Sequence, residues 1–386
     1  MNPVKLSSVV IVVMVLLTGS VTSGSGARYI RQSVSKPSRG TDKLKQNTQL
    51  NIGLLIPDKE ALEAKHGAEI AIRDANKKGG YPGLPFHLVV RSSEGPWGAG
   101  SKKSVGLVFD DNVLAIMGSL DGRNAHLAEQ VATKTKVAFI SAWATDMTLS
   151  YAFVPWYFRC IPDDEQQATA LIQEIYNKRR INNIALIGTE SYDSRNALNT
   201  FIKVAESMGI TKPRQFLYKS SDQNFLAGID ESGIEAFVLF GKPALASDFM
   251  SLYRQGNMKQ PVFGTLSLLD DQKSHTHNWN ILDNSIMVSS DQWFTNKGVN
   301  FQKQFQRIYG YQPGPVAAYA YDGMNMIIKA IKVAGPDRDK IIDALSKMKY
   351  SGITGEIRFD EKGNRSGDAG LMILKNGVPV PIKEDK

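Results

Sequence analysis

A chain of 386 residues is long enough for one large domain or two or three ordinary ones, and its 42% hydrophobic and 9% aromatic content is that of a folded globular protein, not a disordered one. The net charge of +8 raises nucleic acid as a partner, but residues 1–50 hold seven Lys and Arg against one acid, and the other 39 basic and 37 acidic side chains leave only +2. A nucleic-acid binder would carry its basic stripe on the folded part, so that class is set aside. No run of 18 or more apolar residues marks a membrane span.

The one long apolar run is Val9 to Leu17. It follows Lys5 and leads into small residues from Gly19 to Gly24, the pattern of a secretory signal peptide. Residues 1–27 are therefore expected to export the chain, or to stay as an uncleaved N-terminal anchor. Residues 28–49 are a basic linker, and positive charge just after an apolar segment opposes its translocation, which keeps the anchor open. The only cysteine, Cys160, is far from where a lipoprotein signal would carry one, so no lipid anchor is read. A single cysteine excludes an intrachain disulfide and says little about compartment.

From residue 50 the pattern is strand, loop, helix, repeated. Leu50 to Pro57, Phe86 to Ser92, Val113 to Gly118 and Val137 to Ser141 are apolar strands. Helical spacing fills His66 to Lys78, Ser101 to Phe109 and Ala125 to Lys134. The rhythm restarts after Pro162-Asp163-Asp164, with a helix at Glu165 to Lys178. Strands are expected at Asn183 to Gly188, Arg214 to Lys219, Ala236 to Gly241, Pro261 to Leu266 and Ser285 to Ser289. Helices then cover Asn300 to Tyr309, Val316 to Ala334 and Asp339 to Met348, and a β-rich ending closes the chain. Continuous apolar strands alternating with helices mean parallel sheets covered on both faces. The fold class is α/β, with two doubly wound parallel-sheet lobes that exchange segments through three crossovers. The expected lobes are 50–162 with 291–350, and 163–290 with 351–386. Ligands of such sheets bind outside the carboxyl ends of the strands, so two facing lobes would share one cleft.

Four passages resemble a known family. They are LNIGLLIP with HGAEIAIRDANKKGG, VLAIMGSLDGRNAHLAEQVATKTKVAFISAWATDMTL, YFRCIPDDEQQATAL, and GITGEIRFDEKGNR. Together they span about residues 50–376 and are similar to type I periplasmic solute-binding proteins of the branched-chain amino-acid group. The resemblance implies a two-lobed clamp that closes on a small solute and hands it to an ABC permease. Carried over by position, Gly122 stands where amino-acid binders place a serine contacting the ligand carboxylate. Trp143 stands where they have a small residue offering backbone groups. Thr145 matches a threonine for the ligand's polar head, and Tyr192 a pocket tyrosine of the second lobe. The family's acid for the ligand ammonium falls near Leu266, where there is none, and a second tyrosine falls near Pro243.

An ammonium buried without an anionic or carbonyl partner would lose several kcal/mol. An aromatic or apolar carboxylate is therefore expected over a plain amino acid. Trp143 is expected as a cleft wall for it, against the alternative of a Trp packing across the lobe interface. Trp97 and Trp293 follow strand ends and are read either way. Ser119, Asp121, Arg123, Ala144, Asp193, Lys242 and Asp291 complete the expected surroundings, with Arg123 and Lys242 suiting a carboxylate.

Other signals point elsewhere only weakly. Gly95 to Ser104 resembles a phosphate loop, but Ser101 separates Gly100 from Lys102, so the Lys of a Walker motif is misplaced and Ser101 reads as a helix N-cap. His275 and His277, with Asp270 and Asp271, read as a solvated loop before a metal site. No G-x-S-x-G, H-E-x-x-H or paired-Cys motif occurs. No cofactor, metal or catalytic residue is expected, and the chain is expected to be a monomer. A sensory module signalling to a membrane receptor, an amino-acid binder and an unrecognised α/β enzyme remain the alternatives.

Overall fold

The computed structural model describes residues 48–382 apart from 97, 220–224, 226–228, 230–232 and 271–278. The expected export segment, most of the linker, Trp97, and Asp271 with His275 and His277 lie outside the described residues. No helix among the described residues is long and apolar enough to cross a membrane.

The first lobe alternates β1 (Leu50–Ile56), α1 (Leu62–Lys77), β2 (Phe86–Ser92), α2 (Ala99–Phe109), β3 (Ala115–Gly118), α3 (Gly122–Thr135), β4 (Ala138–Ser141) and β5 (Tyr157–Arg159). Its sheet is parallel, in the order β2-β1-β3-β4-β5. The inner strands β1, β3 and β4 are largely apolar because helices cover both faces. On one face Ile52, Leu54 and Ile140 share a core with Ala64, Ala68 and Ala71 of α1. On the other, Leu55, Ile116 and Phe139 share one with Leu107 of α2 and Ala125 and Ala128 of α3.

The second lobe repeats the winding with α4 (Asp164–Ile172), β6 (Ile184–Gly188), α5 (Tyr192–Ser207), β7 (Arg214–Leu217), β8 (Ala236–Phe240), α6 (Pro243–Gln255), β9 (Val262–Gly264) and β10 (Ile286–Ser289). Its parallel strands run β7-β6-β8-β9-β10, the order of the first sheet again. The chain then returns through α7 (Asn296–Tyr309), α8 (Pro315–Ala334), α9 (Arg338–Ser346) and a hairpin of β11 (Tyr350–Gly352) and β12 (Gly355–Ile357). Finally β13 (Gly370–Lys375) pairs antiparallel with β10, and β14 (Val378–Pro381) with β13.

The chain thus passes between the sheets three times: after β5, after β10 and before β13. Helix α8 comes back to lie on α1, so close that a Cβ on Gly67 would sit 2.3 Å from the Ala317 carbonyl oxygen. Backbone on both sides leaves nowhere to give. Gly67→Ala is therefore expected to cost about 2 kcal/mol in urea unfolding, at the middle of the range for overpacking. An unchanged midpoint would show that the helices can separate freely.

Three elements differ from expectation. Strand β5, Tyr157–Arg159, has only three residues, too few to stand out as an apolar run, and is not among the expected strands. Helix α2 starts at Ala99 behind Gly98, whose φ of 87° makes the turn, so Ser101 lies inside the first turn and is not the N-cap. The strand expected to reach Leu266 stops at Gly264; Leu266–Leu269 is instead a 3₁₀ turn that folds over the strand end.

Candidate ligand-binding cleft

The carboxyl ends of the two sheets meet. From the first lobe come the loops after β3 and β4; from the second come those after β6, β8 and β9. Together they enclose a cavity of about 40 Å³ lined by Asp121, Trp143, Ala144, Thr145, Asp193, Lys242 and Leu266 of the expected set. Ser191 and Asp270 line it too. Wider grooves lie elsewhere, one of them a polar groove of about 640 Å³ beside α4. The strand-end cavity is the one both windings point to, and chemistry favours it over size.

The loop after β3 is set by capping. Asp121 accepts hydrogen bonds from the Asn124 amide at 2.8 Å and its side chain at 3.0 Å, so α3 begins at Gly122 with its amide facing the cleft. That amide donates to Asp193 Oδ1 of the second lobe at 3.0 Å. A Cβ on residue 122 would stand 2.7 Å from the same oxygen, so the absence of a side chain lets the lobes touch here. Burial, and then the charge of Asp121, push the Asp193 pKa up to about 6, against the pull of the Gly122 amide and Lys242.

The loop after β4 is held from beneath by Arg159. Its guanidinium is 0% exposed and donates to the carbonyls of Thr145 at 2.9 Å and Asp146 at 2.6 Å, and to the Tyr157 hydroxyl at 3.0 Å. Trp143, 6% exposed, packs its ring 6.4 Å from that of Tyr319. Thr145 donates its hydroxyl to Asp164, whose pKa burial raises to about 7 despite that bond.

A second contact bridges the lobes. Tyr192 donates its hydroxyl to Asp146 Oδ2 at 2.8 Å, and His126 Nε2 sits 3.0 Å from the same oxygen. Burial alone would raise the Asp146 pKa, but the bonds from His126, Thr148 and Tyr192 outweigh it and bring it down to about 2.

Not every expected residue joins the cavity. Arg123 is exposed and rests over the Tyr192 ring at 5.5 Å, so it does not pair with Lys242 around one anion. Ser119 is buried beneath the loop, and Trp293 packs against Phe301 at 6.2 Å outside this cavity. The side chain of Asp291 and all of Trp97 lie outside the described residues. Leu266 is 2% exposed, its amide donating to Gln167 Oε1 at 3.0 Å. Sequence reasoning missed Asp146, whose D-x-T spacing caps a 3₁₀ turn through the Thr148 amide. It also missed the place of Asp270, carried into the cavity by the turn after Leu266.

A family model described as periplasmic binding protein matches residues 50–376. No curated protein sequence matches the chain. The structure is similar to the branched-chain amino-acid substrate-binding protein LivJ from Streptococcus pneumoniae in complex with isoleucine, at 21% identity and a TM-score of 0.73, over 86% of this chain and 97% of that one. It is also similar to a solute-binding protein from R. palustris in complex with benzoate, at 18% identity and a TM-score of 0.73, over 86% and 95%. A third is the solute-binding protein from Rhodopseudomonas palustris BisB5 in complex with 3,4-dihydroxybenzoic acid, at 19% identity and a TM-score of 0.72, over 85% and 94%. At these identities the likeness is one of fold. With most of its length matched and both windings in place, this chain belongs to the periplasmic binding protein family.

Proposed function

We propose that the protein is an exported, monomeric solute-binding protein that captures a small organic solute by hinge closure and delivers it, unchanged, to an ABC permease. The observation that carries this reading is the pair of bonds between opposite lobes, Gly122 to Asp193 and Tyr192 to Asp146, beside the cavity that Asp121, Thr145 and Asp193 line. Such contacts favour a closed arrangement that a partner can recognise. Export rests on the apolar segment after Lys5.

For the solute we propose an aromatic or apolar carboxylate. Leu266 puts an apolar side chain where the family has an acid, and Trp143 offers an aromatic wall. Among the described residues Lys242 is the one cation lining the cavity, and an incoming carboxylate would compete with Asp193 for it and for the Gly122 amide. A second reading, an amino acid, is favoured by Asp193 and Asp270, which supply acids close to the place where Leu266 lacks one.

A thermal-shift panel of benzoate-type acids, short fatty acids, small amides, leucine and other amino acids separates the two. A specific ligand at a hundredfold excess over its Kd should add about 2.7 kcal/mol. Trp143→Ala is expected to weaken an aromatic acid roughly tenfold or more, since stacked ring area is lost. A shift with leucine and none with aromatic acids would overturn the carboxylate assignment, and a shift with none of the panel would count against solute capture itself.

A further inference from the structure

Next to the cleft lies a second space, which the reading above leaves unused. A pocket of about 400 Å³ is lined by residues of all three chain crossings, among them Pro162, Ser290 and Gly355. A small apolar chamber of about 30 Å³, walled by Leu269, Trp279 and Trp293, shares Ser289, Ser290, Tyr319 and Thr354 with it. The chamber backs onto the cleft across Leu266, which lines both, and across the Trp143 and Tyr319 rings.

Two of the shared residues carry hydroxyls with nothing to bind. Tyr319 is 1% exposed, and neither its hydroxyl nor Ser290 Oγ has a hydrogen-bond partner among the described residues. Buried hydroxyls are nearly always bonded, because a dry one forfeits its bonds to water with no return. Each can both donate and accept. The charges around them are already committed. Arg358 pairs with Glu356 at 2.8 Å, and Arg365 is held by the Cys160 carbonyl at 3.0 Å and by Thr354. Asp368 also lines the pocket, on its open side.

We infer that this hinge-side pocket is a second ligand site, for a small neutral molecule with one hydroxyl or amide group on an apolar ring. The polar group is taken by Tyr319 and Ser290, whose hydroxyls are shut from solvent and must turn into the pocket to meet it, and the ring rests on Pro162 and Ala369 at the pocket wall. The volume lies within the range of roughly 300–1,000 Å³ usual for small-molecule sites. The adjoining chamber is large enough for about one water, which can bridge the occupant to Ser290.

The probes are phenol and benzamide, followed by saturation-transfer NMR on the full chain. Both are expected to bind the wild type and Trp143→Ala alike, with millimolar Kd. Tyr319→Phe, which keeps the ring, is expected to weaken both about tenfold. Ala369→Phe, which fills the pocket from its wall, is expected to abolish binding. With no probe present, Tyr319→Phe should melt at or above the wild-type temperature, since it removes a hydroxyl that has no partner. A lower melting temperature would reveal a hidden partner and overturn the proposal. So would the absence of transfer to the wild type. Binding lost in Trp143→Ala but kept in Ala369→Phe would place the probes in the cleft and equally overturn it. Failure of the cleft panel leaves these outcomes untouched, so the two sites stand or fall separately.

Discussion

Arg159→Leu is expected to destabilise the protein by about 3–5 kcal/mol and to remove solute binding in the same step. The guanidinium is fully buried and spends its donors on the carbonyls of Thr145 and Asp146 and on the Tyr157 hydroxyl. Burial works against its charge, but the neighbouring Tyr157, Asp163 and Asp164 outweigh that and raise its pKa. A leucine, shorter and uncharged, would leave the Asp146 carbonyl without its donor and two carboxylates without their cation. The loop carrying Trp143 and Thr145 would lose its support from below. Urea unfolding with an unchanged m-value measures the first effect, and the thermal-shift panel the second. Arg159→Lys should fall between the two, because one ammonium cannot reach three acceptors in a fixed fork. A Leu variant within about 0.5 kcal/mol of the wild type would mean that the loop is held by something else.

The two windings were legible because apolar runs and amphipathic stretches alternate with so few interruptions. Leu50–Ile56 is recognisable from residue type alone, since a strand buried on both faces leaves little room for polar residues. What escaped depends on groups far apart in the chain. Arg159 is a core residue only because the loop of residues 145–146 folds over it. Asp270 reads in sequence as part of a solvated loop with Asp271, His275 and His277, whereas a 3₁₀ turn in place of the end of the expected strand sets it beside Leu266 in the cavity wall. Arg123 and Lys242 seemed a natural pair for an anion. Yet the first turn of α3 points Arg123 outward over Tyr192, and only Lys242 reaches the cavity. Gly122 is at the lobe contact because a helix N-terminus stands there with no Cβ to come between its amide and Asp193. Thr145, a side-chain carry-over, has its hydroxyl engaged by Asp164 instead.

Closure of the cleft is expected to weaken as pH rises from about 4 to about 6, through Asp193. In the closed arrangement burial and Asp121 hold its pKa at about 6, while in an open, wetted cleft it would return to the ordinary value of 3.8. A raised carboxylate pKa means that closing takes up a proton. Below about pH 4 the group is protonated either way and opposes nothing. Above about pH 6 it is ionised either way, and the closed form bears the whole cost, on the order of 3 kcal/mol for a shift of this size. Asp146 runs the other way. Its pKa of about 2 means that its bonds support the fold above about pH 4 and fade as pH falls toward 2. Only the Tyr192 part of that support crosses the lobes, since His126 and Thr148 lie on its own side. The closed form is therefore favoured most at or just below pH 4. Asp193→Asn keeps an acceptor for the Gly122 amide but carries no titratable charge. It should flatten the dependence between pH 4 and 6, with closure near neutral pH at least as favourable as in the wild type. Spin labels on the two lobes, read as a distance distribution at pH 4.5 and 7, measure this directly. The same shift in both proteins would acquit Asp193 and leave the contact at Gly122 as a neutral touch between lobes.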